Sequence, residues 1–280
     1  MSLKKIDIKE VFHEKNPKAA RLIPGFIYNY LKRIIHQDEI NSFLSIHGDK
    51  MGLDFIEAVI EYFDLKINLI NEENIPDKGR NIFVANHPLG GLDGLVFAHV
   101  IGKKFPNLQF LVNDILMNVE MLEPVFLPVN KHGKQSVEYV RKIEETYASD
   151  EQILNFPAGL CSRKTKGEVC DLEWKKSFIT KAVKHKRDVI PVHIDGENSN
   201  FFYNLANIRK NLGIKTNIEM FYLVNEMFKQ QNKNLTLTFG PAISYHTFTK
   251  ERNPKEWAAL VKDYIYKLAE GEKKPFGETI

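Results

Sequence analysis

An α/β fold, with a mostly parallel central sheet, flanking helices and a helical region ahead of them, is the architecture this sequence predicts. Three observations carry it. From Pro24 to about Leu69 apolar residues recur at spacings of three and four, the period of an amphipathic helix. Beyond Asn71 short apolar runs alternate with helical stretches, a pattern that builds a parallel sheet covered by helices. The 280 residues, 43% of them hydrophobic, suffice for a substantial core. The change of pattern divides the chain into an N-terminal helical region, 1–70, and one α/β domain, 71–280.

In the first region Phe26, Ile27, Leu31, Ile34 and Ile35 mark one helical face, and Phe55, Ile56, Val59, Ile60 and Phe63 another. Pro76, Gly79 and several charges predict a connection over 71–80. Strands follow at 81–85, 109–112, 125–129, 152–156, 188–194 and 234–239, interleaved with helices at 135–148 and 172–186. The last helix, 254–270, gathers Trp257, Leu260, Val261, Tyr264, Ile265 and Leu268 on one stripe, a pattern of core packing more than of a binding surface.

Lys and Arg total 39 against 36 Asp and Glu, and a net charge of +3 is too mild for a nucleic-acid partner. The two cysteines, Cys161 and Cys170, fit no metal-ligand spacing, and no cluster of His, Cys, Asp or Glu predicts a metal site. A reducing cytoplasm suits them better than a disulfide framework. Lys4, Lys5, Asp7, Lys9 and Glu10 leave no apolar run after the start, so no secretory signal is expected. The best early apolar stretch, 22–35, is broken by Asn29, Lys32 and Arg33, so the chain is expected not to span a bilayer.

The run Asn86-His87-Pro88-Leu89-Gly90-Gly91-Leu92-Asp93-Gly94 follows a predicted strand and opens a predicted helix, the place where open α/β sheets bind ligands. A histidine titrates near neutrality and can take a proton from an alcohol, and a nearby carboxylate fixes its tautomer and stabilises the imidazolium. A plainer reading is also open: Asp93 caps the helix beginning at Gly94, and His87 is a hydrogen-bonded loop residue. A second run, Phe156-Pro157-Ala158-Gly159-Leu160-Cys161-Ser162-Arg163, ends another predicted strand and would face the same edge. Its turn amides, with Ser162, Arg163, Lys164 and Lys166, form a candidate anion cradle, against the alternative of a solvated charged loop.

Together these residues resemble the glycerolphosphate and lysophospholipid acyltransferase family. The likeness runs from about Asn81 to Asp195 and covers four blocks in order: Asn86-His87, then Leu127-Pro128-Val129-Asn130-Lys131, then Phe156-Pro157 with Gly159, then Ile190-Pro191-Val192. The resemblance implies that His87 is the general base, with Asp93 behind it, and that a fatty acyl group passes directly from an acyl carrier protein or coenzyme A thioester to a lyso-lipid hydroxyl. No acyl-enzyme and no bound cofactor are implied. Lys131, Phe156, Pro157, Gly159, Ser162, Arg163 and Lys164 are carried over as substrate-binding residues. Three departures stand out: five residues, not four, separate His87 from Asp93; Ala158 replaces the family glutamate; and Lys131 replaces an arginine, giving a point charge without a bidentate fork. They point to an acceptor with a different head group, such as a lyso-amino-acid lipid of the ornithine or glycine type, which offers a carboxylate instead of a phosphate.

An enzyme with amphiphilic substrates must work at an interface, so a peripheral place on the inner face of the membrane is expected. The stretch containing Leu22, Ile23, Phe26, Ile27, Leu31, Ile34 and Ile35 with Arg21, Lys32 and Arg33 suits an anionic lipid surface, though core packing is at least as good a reading. Two rivals complete the reading. One is a catalytically silent lipid-binding relative. The other is a thioesterase or transacylase using Cys161 as nucleophile, set against Cys161 as a small buried residue.

Overall fold

The computed structural model describes residues 5–15, 17–113, 119–129 and 137–279 of the chain. Helices α1 (Ile8–Lys15), α2 (Pro17–Ala20), α3 (Gly25–Ile34), α4 (Gln37–His47) and α5 (Gly52–Tyr62) come first, and strand β1 (Lys66–Ile70) follows. The chain then runs through β2 (Asn81–Ala85), α6 (Leu92–Lys104), β3 (Leu108–Asn113), β4 (Phe126–Val129), α7 (Val137–Ala148) and β5 (Gln152–Asn155). A small hairpin of β6 (Arg163–Thr165) and β7 (Glu168–Cys170) precedes α8 (Ser177–His185), β8 (Asp188–Ile194), α9 (Asn200–Asn211), α10 (Leu223–Phe228), β9 (Asn234–Phe239) and α11 (Pro254–Ala269).

Seven strands form one sheet in the order β1-β9-β8-β2-β5-β3-β4. The five from β8 to β4 are mutually parallel, while β9 runs antiparallel to β8 and carries β1 parallel to itself. The sheet is therefore mostly parallel, as the alternation predicts. Every residue of β2 and β5 is buried, the signature of central strands covered on both faces. One face packs against α5 and α6 through Phe55, Ile56, Phe97 and Ile101, and the other against α8 and α11 through Phe178, Trp257, Val261 and Ile265. The stripe on α11 is core, as expected from its spacing, and Asn253 with Glu256 closes a capping box at its start.

The strand β1 corrects the sequence reading, which placed 66–69 inside a helical run. Lys-Ile-Asn-Leu-Ile alternates exposed and half-buried positions, the period-2 pattern of an edge strand, and it pairs with β9 from Lys66↔Asn234 to Ile70↔Thr238. The sheet thus begins before residue 71, and Phe43, Leu44, Phe55 and Phe63 of the helical region share one core with Phe83 and Phe239 of the sheet.

At the amino ends of the parallel strands, fully buried Arg187 donates to the carbonyls of Thr146, Tyr147, Ser149 and Glu151. A cation there neutralises the negative end of α7. The carboxyl ends of β2, β5 and β8 emerge side by side at the opposite edge, so the segments after Ala85, Asn155 and Ile194 converge there.

Candidate active site

Asn86, the first residue past β2, is buried and bridges to the neighbouring strand. Its side-chain amide donates to the Ile194 carbonyl at 2.8 Å, and its oxygen accepts the Ile194 N–H at 2.7 Å. The side chain continues the β2–β8 ladder by one step, which fixes the direction in which the chain leaves the sheet. His87 comes next. Its Nδ1 lies 2.9 Å from Oδ2 of Asp93, and its ring stacks on Phe156 with centroids 4.1 Å apart and planes at 19°. Phe156 rests in turn against Phe97 and Phe110.

Asp93 is fully buried near the start of α6 and accepts from the backbone of its own loop: Leu89 N–H at 2.8 Å, Gly90 N–H at 3.4 Å and Gly94 N–H at 2.9 Å. Asp93 thus ties the loop to the first turn of α6, whose N-cap is Gly91, and also meets the imidazole. Burial opposes a charge on Asp93, but neighbouring His87 and the Leu89 and Gly94 amides outweigh it and keep the carboxyl below its ordinary value. An ionised Asp93 accepts a proton-bearing Nδ1, which leaves Nε2 of His87 as the nitrogen able to take a proton.

The Phe156 run closes the other side. Gly159, with φ +65°, donates its N–H to the Phe156 carbonyl at 2.9 Å and turns the chain back. Pro157 is buried and its carbonyl accepts from Lys175 N–H at 3.1 Å. Ala158 packs in the core with Trp174 and Phe178. Ser162 is 1% exposed and is used internally: its N–H donates to the His87 carbonyl at 2.7 Å and its hydroxyl to Asp171 Oδ1 at 2.6 Å.

Arg163 and Lys164, expected in an open anion cradle, lie instead on β6 with partners in the neighbouring wall. Arg163 donates to Cys161 O and to Oε1 of fully buried Glu219, which Arg209 also holds at 2.8 Å, and Lys164 reaches Asn200 at 3.1 Å. The hairpin turn, Lys166-Gly167, has positive φ at both residues, matching the twist of the strands it joins. Lys131 lies outside the described residues. Cys161 is 1% exposed, and burial pushes its thiol up to about 11, which keeps it protonated and argues against a nucleophilic role. Among the described residues no group of His, Cys, Asp and Glu has the arrangement of a metal site.

The sequence reading missed Asp171, Glu219 and Asn198. All three meet the site through contacts distant along the chain, and no local motif marks them. Asn198 donates to the Pro88 carbonyl at 3.1 Å, backing the loop that carries His87.

The arrangement can hold an imidazole in one tautomer, against an aromatic floor, at the open edge of a parallel sheet. Known proteins resemble this chain along nearly its whole length. Two curated relatives, from Bacteroides thetaiotaomicron and Phocaeicola vulgatus, are each named lyso-glycine lipid O-acyltransferase and are each 50% identical to this chain. The first aligns over 268 residues, 95% of this chain and 98% of its own length, and the second over 264, 94% and 95%. A crystal structure of the 1-acyl-sn-glycerophosphate (LPA) acyltransferase PlsC from Thermotoga maritima aligns with a TM-score of 0.47 at 20% identity, covering 95% of this chain and 88% of that one, a likeness too distant to transfer any residue's role. A family model described as acyltransferase matches residues 10–271, and with relatives at this identity along nearly the whole chain, the protein belongs to that acyltransferase family and is an acyltransferase.

Proposed function

We propose that the protein transfers a fatty acyl group from a thioester, carried by acyl carrier protein or coenzyme A, to the hydroxyl of a lyso-amino-acid lipid, with a lyso-glycine lipid as the preferred acceptor. The carrying observation is the His87–Asp93 pair, with Nδ1 engaged and the ring fixed by Phe156. Nε2 of His87 takes the acceptor's hydroxyl proton as that oxygen attacks the thioester carbonyl. The tetrahedral adduct then collapses to the ester, and the departing thiolate receives the proton from the imidazolium. The raised thiol of Cys161 supports this direct transfer over a covalent acyl-enzyme. The relatives' named acceptor and the loss of the family glutamate at Ala158 support a carboxylate head group over a phosphate.

The substrates are presented at a membrane surface. Among the described residues no helix is long and apolar enough to cross one. Leu22 and Phe26 near α3 are 83% and 72% exposed, and Ile208, Leu212 and Phe221 are exposed in and after α9. Tyr222, 2.6 Å from Tyr30 through their hydroxyls and edge-on to Phe201, joins the two apolar segments, and Arg21, Arg33, Lys210 and Lys215 accompany them.

The test is transfer from labelled acyl carrier protein and acyl-coenzyme A to lyso-glycine lipid and lysophosphatidate, each in mixed vesicles. The expected outcome is acylation of the glycine lipid, with His87→Ala lower by about a hundredfold to ten-thousandfold, the usual worth of a general base. Acylation of lysophosphatidate alone would overturn the acceptor, and an active His87→Ala would overturn the mechanism.

A further inference from the structure

We infer that Asp171 is a positioning residue for the base: it pins the backbone of His87 and sets the electrostatics of the proton transfer. The inference rests on the reading of His87 as general base. The Asp171 carboxylate is 3% exposed and three donors converge on it. Oδ1 accepts the backbone N–H of His87 at 3.1 Å and the Ser162 hydroxyl at 2.6 Å, and Oδ2 accepts the Trp174 indole N–H at 2.8 Å. With Ser162 N–H on the His87 carbonyl, both backbone polar groups of the histidine are held by the Asp171–Ser162 pair. Asp93 and Phe156 hold only the ring, so the two sets of contacts are complementary: one fixes the tautomer, the other fixes where the ring stands.

Asp171 is itself anchored by α11. Its N–H donates to the Tyr266 hydroxyl at 2.8 Å and its carbonyl accepts from Lys262 at 2.6 Å, both on α11. A neutral side chain could tie down one peptide N–H, and burying a carboxylate is costly. The cost has a use here. All three partners are donors, a set that the ionised form satisfies best, and a negative charge beside His87 favours the imidazolium that forms as the proton arrives. The charged or titratable groups facing Asp171 are His87, Lys262, Tyr266, Cys161 and Cys170. Burial pushes its carboxyl above the ordinary value, against the pull of Ser162, the His87 N–H and Trp174.

The experiment measures kcat, KM and the pH profile of kcat/KM in the full-length protein, with Asp171→Asn, Lys262→Met and His87→Ala side by side. Asp171→Asn is expected to lower kcat by about tenfold to a hundredfold, the scale of a small misplacement of a reacting group, with KM for the acceptor changed less than about twofold. Its acid limb moves to lower pH, because a charge favouring the imidazolium is gone. Lys262→Met removes a cation from the same neighbourhood and moves the acid limb the opposite way, and because Lys262 is half-exposed this variant tests the electrostatics even if Asp171→Asn folds poorly. Acid limbs unmoved in the folded variants, with activity falling only as far as thermal stability falls, would overturn the inference. His87→Ala separates the failures: if it is inactive while the limbs stay fixed, only the role of Asp171 falls, and if it is active, the base goes with it.

Discussion

Five residues stand between His87 and Asp93, and the loop turns at Gly90. There φ is +81°, and an added Cβ would lie 2.7 Å from the Leu223 side chain and 3.3 Å from Cys161 Cβ. Gly90→Ala is therefore expected to cost about 1–3 kcal/mol of stability, the range for a strained backbone position, and to lower turnover more than stability alone explains. Thermal melts alongside rates check this, and a variant with wild-type melting and turnover would refute it. Because His87 and Asp93 share one loop, their partnership was legible from sequence. Ser162, Arg163 and Lys164 were legible as polar residues near the site but not in their duties, because the partner of Arg163, Glu219, lies 56 residues away. The same holds for the 84-residue gap between His87 and Asp171.

Between elements, Glu144 on α7 gathers Lys181, Lys184 and His185 on α8. Hydrogen bonds from Lys181 and Lys184 hold its carboxyl down to about 2. A carboxyl lower in the folded state than in the unfolded contributes stability above its unfolded value and loses it as pH falls through the folded one. Glu144 therefore contributes fully above about pH 4.5, the ordinary value, and progressively less toward about pH 2. Glu144→Gln should flatten the acid side of the stability curve over that window, read by denaturant titration at several pH values, and an unchanged slope would refute the assignment. β2 and β8 were legible because buried central strands leave no polar face to confuse the period, and β9 because its leucines alternate with threonines. The hairpin β6–β7 was not, since its short strands are charged and largely exposed, and β1 was hidden by the helical pattern before it.

For the whole molecule, the helical region and the sheet close over one core, and exposed apolar residues in and beside α3 and α9 are left uncovered. If that face meets lipid, the protein should pellet with anionic vesicles, and Phe26→Asp and Leu212→Asp should each weaken pelleting severalfold while leaving the fold intact, since both side chains are exposed. High salt should weaken it further through the accompanying cations. Equal pelleting of wild type and both variants would place the contact elsewhere. Sequence periodicity left α3 open between core and lipid surface; in the structure Tyr28 and Ile34 are buried, while Phe26 is exposed.

The ion pairs of Glu219 with Arg163 and Arg209 carry a consequence for how such an enzyme can change. His87 and Phe156 stand just past β2 and β5, whereas α9 and residues 218–228 are a separate stretch of chain that packs beside them through the Arg163–Glu219 pair and an apolar cluster of Cys161, Phe202, Tyr203 and Leu223. If the acceptor enters along that side, substitutions there should change acceptor choice while leaving the His87–Asp93 pair in place.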